Sequence, residues 1–183
     1  MKKKIIAIIA FVFVGANVLS AQQIKWMTFD EALAAQKKAP KKIFMDVYTA
    51  WCGPCKMLDK NTFGNKDVAN YINENYYAVK FNGEGNEVVN YKGQKFENKD
   101  YNPANAERRN SPHPFASYLQ ISAYPTMLFF DEKGEYIQPL AGYLTPSQIE
   151  MFLKLFAKDD FKKIKTREDF QNYRTSFKGT FKD

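Results

Sequence analysis

A pair of cysteines separated by two residues, placed directly after an apolar run, constrains this chain more than any other feature. The run, 42–48, predicts a buried strand, and Gly53-Pro54 predicts the start of a helix. Cys52 would then lie at the N-terminus of that helix, where free backbone N–H groups and the helix dipole favour a thiolate. Because Cys55 lies within one helical turn, the two cysteines can attack a substrate disulfide and then close on each other. The pattern predicts thiol–disulfide exchange.

Two other uses of the cysteine pair are less favoured. The chain has only these two cysteines, and a bridge between them closes too short a loop to restrict the unfolded chain much, which argues against a purely structural disulfide. Tetrahedral zinc needs four nitrogen or sulfur ligands, and His113 is the only histidine. We therefore expect no metal. We expect His113 to cap a helix rather than to take part in catalysis.

One acidic residue, Asp46, lies inside the apolar run. An ionised carboxylate is costly in such a place unless it is paired, so burial should raise the pKa of Asp46. A group of this kind suits proton transfer at a reactive thiol. The alternative is a residue at the end of the strand that bonds only to backbone.

Several segments together resemble the thioredoxin superfamily. Residues 51–56 have the sequence of the thioredoxin active site, and Asp46 falls where the family keeps a buried carboxylate beneath it. Lys80 falls where the family has a lysine that faces this carboxylate, and Tyr124-Pro125 resembles the family's cis-proline turn. The resemblance covers roughly residues 25–157.

The resemblance implies a fold and a set of roles. The fold is α/β with three layers, a central mixed β-sheet flanked by helices. Cys52 is then the nucleophile and Cys55, the more buried of the two, resolves the mixed disulfide, while Asp46 exchanges a proton with Cys55 and Lys80 faces Asp46. No cofactor is implied beyond the redox-active disulfide of the two cysteines. Substrate would bind at five residues around the cysteines: Trp51, Gly53, Pro54, Tyr124 and Pro125.

One departure from the family pattern is informative. Thioredoxins carry a proline that kinks the active-site helix, whereas this chain has Lys56-Met57-Leu58-Asp59-Lys60. This helix is more similar to the thioredoxin-like modules of bacterial envelope thiol:disulfide interchange proteins.

The N-terminus predicts export. Lys2, Lys3 and Lys4 precede an apolar run from Ile5 to Ala16, a pattern typical of a secretory signal peptide, here 1–21. The run is shorter than the about 20 residues that span a bilayer; an uncleaved membrane anchor is the alternative. Loss of this segment lowers the net charge from +7 to +4, because it holds three lysines and no acid. So mild a charge does not favour nucleic-acid binding.

Two regions follow the predicted signal peptide. Residues 22–157 form the expected thioredoxin-like domain, and residues 158–183 form a C-terminal helical extension. Within the domain, Thr28 with Glu31 predicts a capped helix start, and so does Thr145 before Pro146.

An insertion at 83–112 interrupts the domain before the Pro125 turn. It is rich in asparagine and poor in aliphatic residues, so we expect irregular structure. The strand before it and the strand before Cys52 should be parallel and end at the same sheet edge, which places the insertion beside the cysteines. Its aromatic residues Tyr91, Phe96 and Tyr101 could then contact a bound protein chain, which predicts a rim that narrows the range of protein disulfides accepted. The alternative is a solvated loop that makes no contact with substrate.

The sequence therefore predicts an exported disulfide oxidoreductase that acts on protein substrates in a bacterial envelope as a monomer. Gly53-Pro54, with no histidine between the cysteines, favours reduction or isomerisation over oxidation, with electrons from a membrane-bound thiol donor. The alternative is a non-enzymatic, chaperone-like or peptide-binding module that uses the groove at Pro125. The presence of both cysteines and of Asp46 argues against that alternative.

Overall fold

The computed structural model describes residues 23–183. The predicted signal peptide, 1–21, lies outside this part of the chain. Within it, no helix is both long enough and apolar enough to cross a membrane.

Helices and strands alternate through most of the described chain. The strands are β1 (Trp26–Met27), β2 (Lys42–Tyr48), β3 (Tyr76–Asn82), β4 (Val89–Tyr91), β5 (Gln94–Phe96), β6 (Thr126–Phe130) and β7 (Tyr136–Ala141). The α-helices are α1 (Phe29–Lys38), α2 (Gly53–Met57), α3 (Lys66–Asn75), α4 (Pro114–Tyr118), α5 (Pro146–Ala157) and α6 (Arg167–Ser176). A π-helical segment, Leu58–Phe63, continues α2, and two short 3₁₀ turns cover Pro103–Asn105 and Asp160–Lys163.

Five strands form one mixed sheet in the order β1-β3-β2-β6-β7. The strand β2 is central, parallel to β3 and antiparallel to β6. The parallel pairing requires a crossover, which α2, the π-helical segment and α3 supply. The mixed sheet with flanking helices confirms the predicted fold class.

Alternation along β2 divides the core into two layers. Ile43, Met45 and Val47 pack on one side with α1 and α4, whereas Phe44 packs on the other side with α3 and α5. Side chains two residues apart share a face of a strand, so Asp46 lies on the Phe44 side, the side of the active-site helix.

The helices α1 and α5 begin at the capping residues that the sequence predicts. Thr28 and Glu31 form a capping box on α1, and Thr145 does the same with Gln148 on α5, where Pro146 takes the first position. His113 caps α4, because its Nδ1 accepts the N–H of Phe115. The capping role predicted for His113 is confirmed.

The insertion is more ordered than we predicted. The strands β4 and β5 form a hairpin, and Lys92 and Gly93 in its turn both have positive φ. Tyr91 and Phe96 are buried among the rings of Phe29 and Phe115. The prediction that Tyr91 and Phe96 contact substrate is wrong, because both side chains face the core. The hairpin covers an apolar surface formed by α1 and α4.

The chain after α5 is helical only in part. Its helix α6 packs Phe170 and Tyr173 against the α5 side of the core. The last residues are non-helical and are held by Glu150 of α5, whose carboxylate accepts the backbone N–H groups of Thr180 and Phe181. The extension is therefore a helix followed by a strap across α5.

Candidate active site

The two cysteines lie where β2 ends and α2 begins. Cys52 is the N-cap residue of α2, and its Sγ accepts the backbone N–H of Cys55 at 3.1 Å. The two sulfurs are joined in a disulfide. Cys52 is 3% exposed and Cys55 2%, so Cys55 is the more buried cysteine, as predicted, but by a small margin. The margin is small because the two bonded sulfurs lie within one helical turn. The N-cap position favours negative charge on Cys52 when the bond is open.

Two residues between the cysteines are open to solvent. Gly53 and Pro54 are exposed, whereas the two cysteines that flank them are buried. Trp51, half-buried, precedes the pair, and its ring meets the ring of Tyr124 edge-on at a centroid distance of 6.2 Å. Four of the five predicted substrate-binding residues are thus on or next to the cysteine loop.

The fifth, Pro125, is reached through Tyr124. The peptide bond between these two residues is cis. Pro125 is buried and its carbonyl accepts the N–H of Gly142, whereas the hydroxyl of Tyr124 donates to the carbonyl of Gly83. The contact between Tyr124 and Trp51 brings this turn to the cysteine loop.

Beneath the active-site helix, Asp46 is 1% exposed and its Oδ2 lies 2.7 Å from Lys80 Nζ. The two residues are directly opposite each other in the β2–β3 register. Lys80 also pairs with Asp59, whose side chain is 43% exposed. Within residues 23–183, no group hydrogen-bonds to Oδ1 of Asp46. One lysine thus joins a buried carboxylate to a carboxylate at the surface.

The surroundings of Asp46 and Lys80 shift the pKa of each residue. Burial raises the pKa of Asp46 to about 6, although Lys80 opposes part of the shift. Burial would lower the pKa of Lys80, but Asp46 and Asp59 outweigh it and hold this pKa above its usual value. Asp46 can therefore exchange a proton near neutral pH while Lys80 stays charged.

Three residues at this site were not predicted. Asp59 is the second partner of Lys80, and it lies beside a surface cleft. Glu84 accepts the indole N–H of Trp51 at 2.7 Å, and the guanidinium carbon of Arg109 lies 4.3 Å from the centroid of the same ring. Both ends of the insertion therefore meet at Trp51. The insertion thus lies beside the cysteines, as the sequence predicts.

The sequence of residues 29–157 matches the family model of the thioredoxin-like domain. The chain belongs to this family. The Cys52–Cys55 disulfide lies within the matched residues.

Among the proteins that resemble this family member are one curated protein and two solved structures. A thiol:disulfide interchange protein DsbD from Pectobacterium atrosepticum is 25% identical over 126 residues, or 68% of this chain, but the chain spans only 18% of that relative's length. A candidate disulphide-isomerase from Bacteroides thetaiotaomicron is 27% identical, with a TM-score of 0.52 over 76% of this chain and 97% of that one. A thioredoxin-fold protein from Helicobacter pylori, 18% identical, has a TM-score of 0.53 over 80% and 94% and shows the same fold.

Proposed function

We propose that the protein reduces or isomerises disulfides of proteins in the bacterial envelope, using Cys52 and Cys55. One observation carries this proposal: the disulfide lies at the N-terminus of α2, above a buried carboxylate with a raised pKa, and its neighbours Gly53 and Pro54 are exposed on the side from which a protein chain would approach.

The proposed reaction has two exchange steps. The Cys52 thiolate attacks one sulfur of the substrate disulfide, which forms a mixed disulfide and releases the other sulfur as a thiolate. The thiolate of Cys55 then attacks Cys52 Sγ, which closes the enzyme disulfide and releases the second substrate sulfur. The substrate gains two electrons and the enzyme loses two. A dithiol donor returns them, and we assign this step to a membrane-bound thiol protein.

Asp46 serves the second step as a base. Cys55 must lose its proton before it attacks, and a buried carboxylate with a pKa of about 6 is mostly ionised at pH 7 and ready to accept it. Lys80 holds Asp46 at 2.7 Å and stabilises its ionised form. Asp59, on the open side of the lysine, gives this pair a second acidic partner.

Reduction or isomerisation is favoured over oxidation by the residues between the cysteines. Neither Gly53 nor Pro54 carries a charge or a hydrogen-bond donor on its side chain that would further stabilise the Cys52 thiolate. The resemblance to a disulfide interchange protein and to a candidate disulphide-isomerase supports the same direction.

The envelope location is supported by the N-terminal pattern, three lysines before an apolar run, which is typical of export. We propose that the exported protein acts as a monomer, with protein disulfides as substrates and no cofactor beyond its own disulfide.

Reduction of insulin by dithiothreitol, followed by precipitation of the released chain, tests the proposal. The wild-type protein should accelerate precipitation at pH 7, and Cys52→Ser should not. Recovery of activity from scrambled ribonuclease then measures isomerisation. A wild-type protein that binds a peptide but accelerates neither reaction would contradict the proposal and favour a non-enzymatic peptide-binding module.

A further inference from the structure

The buried carboxylate of Glu84 ties the insertion to the cysteine loop. Glu84 is 9% exposed, and its Oε2 accepts two N–H groups, from the indole of Trp51 at 2.7 Å and from the backbone of Asn110 at 2.8 Å. The first residues of the insertion and the last ones therefore meet at the residue that precedes Cys52. Because both hydrogen bonds end on one oxygen of a buried carboxylate, this contact fixes the orientation of the indole.

Arg109 lies over the indole that Glu84 fixes. The guanidinium carbon is 4.3 Å from the ring centroid, a distance at which the cation is attracted to the ring face. Arg109 is exposed, and no carboxylate pairs with it anywhere in the part of the chain that the structure describes. A guanidinium held over an aromatic ring keeps N–H groups that can bind a carboxylate with two hydrogen bonds.

The position of this stack relates it to the reaction. Trp51 directly precedes Cys52, and its ring also meets the ring of Tyr124, whose hydroxyl donates to the carbonyl of Gly83. The stack thus lies beside both the cysteine loop and the Tyr124 turn. A substrate segment whose disulfide reaches Cys52 must pass beside Trp51, so its neighbouring side chains come within reach of Arg109.

We propose that Arg109 determines substrate specificity: stacked on Trp51, it binds a carboxylate next to the reactive cysteine of the substrate. The enzyme therefore prefers disulfides flanked by aspartate or glutamate. Glu84 is a positioning residue that acts through Trp51. This inference rests on the proposed function and names the class of substrate for it.

Two peptides that differ at one position test the preference. Each contains one intramolecular disulfide, and the residue next to the attacked cysteine is Glu in one and Gln in the other, which have nearly the same shape. A solvent-exposed ion pair of good geometry changes kcat/KM by about two- to fivefold. We expect the wild-type protein to prefer the Glu peptide by that factor at low salt, and the preference to shrink at 1 M salt because exposed charges are screened.

Matched variants separate the stacked arginine from the general positive charge. Arg109→Gln should bring the ratio of the two kcat/KM values to about one. Arg108→Gln removes the same charge one residue away, from an exposed side chain that is not stacked on Trp51, and should keep the ratio. Glu84→Leu removes the acceptor of the indole N–H and should lower the ratio, and Glu84→Gln, which retains an acceptor oxygen, should restore it.

Three results would overturn the inference but not the proposed function. They are equal rates of the wild-type protein on both peptides, equal loss of preference in the Arg108 and Arg109 variants, and an unchanged ratio in Glu84→Leu. Failure of the wild-type protein to reduce either peptide would refute the proposed function together with the inference. Equal reduction of both peptides would refute the inference alone.

Discussion

Replacement of Asp46 by asparagine should stabilise the oxidised protein at neutral pH. The wild-type carboxylate is almost fully buried and its ionised form is disfavoured there, because burial raises the pKa of Asp46 to about 6. An asparagine has nearly the same shape and carries no charge at any pH. The variant therefore avoids the cost of ionising a buried group, while Lys80 keeps Asp59 as its partner.

The size of the expected stabilisation follows from the pKa shift of Asp46. The pKa of Asp46 rises from 3.8 in the unfolded chain to about 6 in the folded one, so the folded state binds more protons between these values. The free energy of unfolding then falls as the pH rises through this window, and the loss is complete above it. At about 1.4 kcal/mol per pKa unit, the loss amounts to about 3 kcal/mol. Asp46→Asn should recover up to this amount at pH 7.5 and nothing below pH 3.8.

Urea unfolding of the oxidised protein between pH 3.5 and pH 8, followed by circular dichroism, measures this difference. The free energy of unfolding of the variant minus that of the wild type should grow between pH 3.8 and about pH 6 and level off near pH 7. Asp100→Asn, at an exposed aspartate of the insertion, is the matched control and should show no such growth. A difference that is constant with pH, or that favours the wild type as the pH rises, would refute the assigned shift.

Three further outcomes are expected. Asp46→Asn should slow resolution of the mixed disulfide at pH 7, seen as its accumulation in quenched samples; an unchanged rate would remove Asp46 from the mechanism. Lys80→Met should raise the pKa of Asp46, because the lysine opposes the upward shift, and Asp59→Asn should lower it, because Asp59 adds to the shift. NMR titration of the Asp46 carboxyl carbon measures this pKa in each variant. A pKa of Asp46 that changed in the same direction in both variants would contradict this prediction. Replacement of 84–111 by a Gly-Ser turn should lower the free energy of unfolding by roughly 5–9 kcal/mol, since it removes three buried apolar side chains worth about 1.5–3 kcal/mol each; an unchanged urea midpoint would show that the hairpin is not part of the core.

The sequence predicted those parts of the fold that local signals determine. Thr28 and Thr145 carry a capping side chain and a partner three residues later, so the start of each helix is encoded within one turn. The apolar run 42–48 favours a buried strand, and Gly53-Pro54 favours the start of the next helix. These signals place Cys52 and Asp46 without any knowledge of tertiary contacts.

The hairpin of the insertion was missed because its stability depends on distant residues. Each strand has only three residues, and neither would persist without the rings of Phe29 and Phe115 to cover. A signal was present nevertheless. Gly93 follows Lys92 in the turn, and Val89, Tyr91 and Phe96 alternate with polar residues on either side, a pattern typical of a two-residue hairpin loop.

Asp59 and Glu84 could not be assigned from the sequence. Their partners, Lys80 and Trp51, are 21 and 33 residues away, so each pair forms only when the chain has folded. A charged residue on the exposed side of a helix or in a loop is most often solvated, and nothing in the local sequence distinguishes these two. The structure identifies Asp59 through its partner Lys80, and Glu84 through its burial and its partner Trp51.

Trapping of the mixed disulfide tests the central claim most directly. In Cys55→Ser, Cys52 is the only cysteine of the chain, so an exchange that stops after its first step must leave the substrate bound there. After incubation of this reduced variant with a disulfide-containing peptide, intact mass spectrometry and peptide mapping should show one peptide attached at Cys52 and released by dithiothreitol. A variant that stays unmodified while the wild-type protein reduces the same peptide would contradict the assignment of Cys52 as the nucleophile.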